Sequence, residues 1–182
     1  MLTIMIFLLL AMAFYAGYRR GLVLQLVYVA GYTITFIVAQ NYYKKLGKMI
    51  ELWVPYPAPT AKTQFVLFDS SMMFDMDQVF YAGFAFILVM IVGWLITRFI
   101  GMLSYSLTFI PVLKQGNDLA GGIVSGVMML LGLTIVLTLL ATIPLPIIQN
   151  QLSKSHLAQS IVNHTPVMSN LLETWWITKI IK

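Results

Sequence analysis

Four apolar runs, separated by short charged or proline-rich stretches, set the pattern of this chain. The first uncharged run covers residues 1–18, with Ile4, Met5, Ile6, Phe7, Leu8, Leu9 and Leu10 at its centre. As a helix rising roughly 1.5 Å per residue it would reach about 27 Å, close to the hydrocarbon thickness of a bilayer. Arg19-Arg20-Gly21 follows, and a second uncharged run covers 22–39. So short a connection predicts a helical hairpin, with Gly21 as the turn residue that ends the first helix and the two arginines snorkelling to the headgroups. A third run begins at Val79 and meets Arg98, and apolar character resumes through 99–113, interrupted by Ser104, Ser106 and Pro111. The fourth carries no charge from Leu119 to Ile148, with Pro144 and Pro146 ending the regular helix before the run is exhausted.

The pattern predicts an all-α, polytopic membrane protein with four transmembrane helices at about 1–18, 22–39, 79–103 and 119–143. The four form one domain, 1–148, with a polar loop at 40–78 and an amphipathic tail at 149–182. Within the loop, Lys44, Lys45, Lys48 and Glu51 interleave with Leu46, Met49, Ile50 and Leu52, which suits a short interfacial helix over 42–53 with Trp53 as an anchor. Pro55, Pro57 and Pro59 then forbid helix, and Asp69, Asp75 and Asp77 make the loop's end acidic. In the tail, Ser153 or Ser155 caps one short helix and Thr165-Pro166 opens another. Val167, Met168, Leu171, Leu172 and Trp175 share one side of the latter. With Trp175 and Trp176 at headgroup level, the tail reads as an in-plane interfacial helix rather than a fifth span.

Composition strengthens this picture. Of 182 residues, 60% are hydrophobic and 9% charged, where a soluble domain carries about 25% charged residues. Mean hydropathy is +0.89. These values exclude a soluble enzyme, a disordered chain and a fibrous repeat. The net charge of +5 includes no dense basic run, so nucleic acid is not an expected partner. The lipid bilayer is, with a homo-oligomer and an envelope or export protein as further candidates. Ala11-Met12-Ala13 looks like a signal cleavage box, but no basic segment precedes the apolar run, so it is read as a retained helix. The uncharged N-terminus beside Arg19-Arg20 favours an outside N-terminus.

Candidate chemistry is sparse. There is no cysteine, and the only histidines, His156 and His164, lie in the tail without a carboxylate pattern. Catalytic, metal and cofactor sites are therefore not expected. Three polar candidates stand out instead: Arg20, Arg98, with apolar sequence on both sides, and Asp118, which opens the fourth span or pairs with Arg20 or Arg98. Gly122 and Gly126 sit four residues apart beside Gly121 and Ser125, a spacing that lets another helix backbone approach for packing or assembly. Thr33, Thr35, Thr134 and Thr138 are expected to bond back to their own helices.

Three segments in order resemble the CvpA family, the bacterial colicin V production proteins. They are Gly17-Tyr18-Arg19-Arg20-Gly21 with Gln25 and Gly31 beyond it, Asn117-Asp118-Leu119-Ala120-Gly121-Gly122 with Gly126, and Ser153-Lys154-Ser155-His156-Leu157. The positions matching the family pattern are Arg20, Gly21, Asp118, Gly122, Gly126 and Ser155. Met128-Met129-Leu130 stand where many members carry a basic residue and a further glycine. The resemblance implies a non-enzymatic protein of the bacterial cytoplasmic membrane, needed for toxin production or export and for envelope homeostasis. A small homo-oligomeric channel or transporter is the alternative.

Overall fold

In a computed structural model, residues 1–57, 59, 65–68, 72, 75–103 and 114–181 are described, with the backbone alone at 114 and 115. The regular elements among the described residues are all helical, without strands. In chain order they form α1 (Leu2–Ile50), α2 (Met76–Leu103), α3 (Lys114–Ala141), α4 (Pro146–Ser153), α5 (His156–His164), α6 (Met168–Leu172), a π-helical turn (Glu173–Thr178) and α7 (Lys179–Ile181). Leu2–Ile50, Met76–Leu103 and Gly116–Ala141 are long and apolar enough to cross a membrane. Their outward faces are apolar too: Phe7, Leu8 and Met12, then Ile91, Leu95 and Phe99, then Leu119, Ile123 and Val127 are exposed. A protein with such a surface is suited to lipid as its solvent.

α1 is not one straight rod. At Gly21 the backbone takes φ 75°, ψ 168°, a region open essentially to glycine alone. The first arm, 2–20, runs antiparallel to α3, with Ile6 in one core cluster with Leu133 and Leu137, and Gly17 against Gly121. The second arm, 22–50, runs antiparallel to α2, with Tyr28 against Gly101, Gly31 against Thr97, Thr35 against Gly93 and Gly47 against Ala82. Its far end joins Tyr43 to Leu139 of α3 in a second core cluster. The second arm thus runs parallel to α3 and the first antiparallel to it, so α1 reverses direction at Gly21 as the short connection predicts.

Expectations for the 42–53 segment and for the tail are corrected. Residues 42–50 do not form a separate interfacial helix; they continue the second arm. Tyr43 and Gly47 extend the four-residue seam of Gly31, Thr35 and Ala39 onto α2, so tertiary packing carries the helix past the lysines. The tail, likewise, does not turn its apolar face outward. Leu172, Trp175 and Trp176 are buried, Trp176 completely. Trp176 fills the space beside Gly83 and meets the Phe86 ring edge-on at 5.7 Å. Trp175 lies 5.5 Å from the Phe36 ring, and its carbonyl accepts the Tyr43 hydroxyl at 2.9 Å. The absent side chain at Gly83 leaves room for the indole, which buries a large apolar area against the bundle, its Nε1 without a hydrogen-bond partner among the described residues. Trp53, by contrast, is exposed.

Hydrogen bonds tie the tail down. Ser155 Oγ accepts from Ala158 N as the cap of α5 and lies 2.9 Å from Thr3 Oγ1. Thr165 does not open a helix as expected: it closes α5, its hydroxyl donating to Ile161 O at 2.6 Å. Gln149 Nε2 donates to Ala141 O and Ile143 O, taking up carbonyls that the break before Pro144 and Pro146 leaves open. Asp69, Ser104, Ser106 and Pro111 lie outside the described residues.

Candidate functional site

The residues singled out by sequence converge at the Gly21 turn. Breaking the helix there frees the amide of Leu22, and Asn117 Oδ1 accepts it at 3.1 Å. Asn117, from α3, thus caps the second arm. Its side chain occupies the position a Cβ on Gly21 would take. One turn further along α3, Gly121 lies against the backbone of Gly17 and Gly21. A turn beyond that, Ser125 Oγ donates to Ala13 O at 2.7 Å. The first arm and α3 are therefore in near backbone contact, the geometry that small residues permit in a medium with little hydrophobic drive between helices.

Within the predicted glycine cluster the residues divide. Gly121 and Ser125 form the tight contact, and Gly122 sits beneath the Phe14 ring. Gly126 meets no atom within 4 Å of its would-be Cβ and faces outward. Within the chain, then, the face toward the first arm is made by Gly121 and Ser125 with Gly122 beside them, and Gly126 takes no part in that contact. Thr35, Thr134 and Thr138 bond back to Gly31 O, Leu130 O and Thr134 O, as expected.

Arg20 and Arg98, remote in sequence, share a partner. Their guanidinium carbons stand 5.2 Å and 5.5 Å from the centroid of the Tyr28 ring, and Arg98 also lies 5.5 Å from that of Trp94. Tyr28 is buried, while both arginines are half-buried. Asp118 does not join them in an ion pair. It accepts a long contact, 3.4 Å, from Asn117 Nδ2. Nor does it open the helix, because α3 starts at Lys114 and Asp118 falls in its second turn. One buried polar group beside Tyr28 is left over: Gln25, 2% exposed, has its Oε1 without a hydrogen-bond partner among the described residues.

Sequence reasoning overlooked the second seam. Gly31 and Thr35 on one helix receive Thr97 and Gly93 on the other, each threonine filling the gap of the facing glycine. The signal was present as Gly93, Thr97 and Gly101 at four-residue spacing on α2, matched by Gly31, Thr35, Ala39, Tyr43 and Gly47 on the second arm. Among the described residues no group of three or more His, Asp or Glu is placed to hold a metal, and His156 and His164 are both exposed. The arrangement packs helices closely and gathers two cations at one end of the bundle.

The family described as "Colicin V production protein" matches residues 2–166. A relative from Bacillus subtilis (strain 168), the uncharacterized transmembrane protein YshB, is 29% identical over 176 residues, which cover 97% of each chain. No solved structure matches.

Proposed function

Since the chain belongs to the Colicin V production protein family, we propose that it is a non-enzymatic, multi-pass protein of the bacterial cytoplasmic membrane that supports production or export of a peptide toxin and envelope homeostasis. The observation that carries this reading is the family match along nearly the whole chain, joined to helices whose exposed faces are apolar. In this reading each arm of α1 crosses the membrane once, and α2 and α3 once each, giving four crossings in one transmembrane domain. α4 to α7 then form a cap at the end that also holds the N-terminus. The buried polar side chains favour a scaffold role over catalysis, because Thr35, Thr134, Thr138, Thr165, Ser125 and Gln149 are spent on backbone carbonyls. No observation favours the homo-oligomeric channel.

Deletion and complementation test the proposal. A strain lacking the gene and carrying a colicin V-type toxin system should release less active toxin into the medium and leak more of a small envelope-permeability dye. The wild-type gene should restore both. Unchanged toxin release and unchanged permeability in the deletion strain would refute it.

A further inference from the structure

Arg20 and Arg98 bring two positive charges onto one buried aromatic ring, from the end of the first arm and the last part of α2. Aromatic faces attract each cation but carry no net charge, so the repulsion between the arginines stays uncompensated. No carboxylate pairs with either among the described residues. Asp118, the acid nearest the turn, is engaged with Asn117 instead, and residues 104–113, which follow α2, contain no acid at all. A cationic pair held half-buried at the end of an apolar bundle is stable when an anion completes it.

We propose that Arg20 and Arg98 together hold the phosphate of an anionic membrane lipid. Guanidinium groups match phosphate oxygens as planar, two-pronged donors, and basic sites between membrane helices suit lipid headgroups. The choice of a lipid over a free anion rests on what borders the pair. Leu95 and Met102 lie three residues before and four residues after Arg98, along the same side of α2, and are exposed. They form an apolar track along which acyl chains run from a phosphate at Arg98. The site does not depend on the toxin-related role, since it follows from charge and packing alone.

The test uses the full-length protein reconstituted in bilayers of phosphatidylcholine and phosphatidylglycerol, with the lipids retained after gentle extraction identified by native mass spectrometry. Wild type should retain phosphatidylglycerol in preference to phosphatidylcholine by about tenfold or more, and the Arg20→Gln/Arg98→Gln double variant should lose that preference. Each single variant should lose part of it, which keeps the test available if the double variant fails to fold. Arg19→Gln, which removes an exposed arginine next door, should retain the wild-type preference. The proposal is overturned if the arginine variants keep the preference, if Arg19→Gln loses as much as they do, or if inorganic phosphate displaces the lipid completely, which would mark a site for free anions.

Discussion

Replacing Gly21 by alanine strikes the point on which the reversal of α1 depends, and its cost follows from two separate contributions. The backbone angles there, φ 75° and ψ 168°, are essentially closed to a residue with a Cβ, which costs about 1–3 kcal/mol. The new methyl group would also meet the Asn117 side chain. Displacing Asn117 leaves the half-buried Leu22 amide without its cap, a further loss of about 0.5–2 kcal/mol. Together these approach about 1.5–5 kcal/mol, a large share of the roughly 5–15 kcal/mol that folded proteins possess. Asn117→Ala alone forfeits only the cap, about 0.5–2 kcal/mol. Both single variants lose the same hydrogen bond, and the smaller residue at 117 removes the collision, so the double variant should cost less than their sum, with a coupling of about 0.5–3 kcal/mol. Reversible unfolding in mixed micelles, followed by helical circular dichroism, measures all four corners of this cycle. A Gly21→Ala protein within about 0.5 kcal/mol of wild type, or strictly additive variants, would refute the reasoning.

Three further outcomes are expected. Gly121→Leu should abolish folding or assembly in detergent, whereas Gly126→Leu and Gly132→Leu, whose would-be Cβ atoms meet nothing within 4 Å, should behave as wild type by size-exclusion chromatography and complementation. Trp176→Ala should destabilise by about 3–5 kcal/mol in the same unfolding assay, because it empties the space beside Gly83 and Phe86; Trp53→Ala should do little, since Trp53 is exposed. Burial, followed by Asp77 and Tyr81, raises the Tyr56 hydroxyl above the ordinary tyrosine range. The stability it contributes is therefore complete below about pH 10 and is lost as pH rises beyond that value. Tyr56→Phe should lower the melting temperature at neutral pH by removing the bond to Thr142 O and should shrink the further drop between pH 8 and pH 11.

Periodicity and charge exposed much of this architecture in the sequence. The reversal at Gly21 was legible because two apolar runs, each long enough to span, leave only Arg19, Arg20 and Gly21 between them. The end of α3 was legible from Pro144 and Pro146. The helical extent of 42–50 was not, because its lysines resemble an interfacial pattern while the decisive signal, Tyr43 and Gly47 in register with Gly31, Thr35 and Ala39, acts only once α2 is packed against it. For the tail, amphipathicity identified the face of Leu171, Leu172 and Trp175 but could not distinguish lipid from protein as its partner; the answer lies in Gly83, far away in sequence. The arginine pair was legible as two separate candidates. Their meeting over Tyr28 depends on where the hairpin sets Arg20 beside α2, a relation between helices that no single run of sequence contains.

The claim on which the rest depends is that α1 turns back at Gly21, so that the N-terminus, the loop after α1 and the tail share one side of the membrane while the turn and the start of α3 share the other. The chain has no cysteine of its own, so a single introduced thiol reports one position without background. In sealed, oriented vesicles, Leu2→Cys, Leu52→Cys and Ser153→Cys should react with an impermeant maleimide from the same side, and Gly116→Cys only from the opposite one. Labelling of Leu2→Cys and Leu52→Cys from opposite sides would mean that α1 crosses once, and would contradict the account.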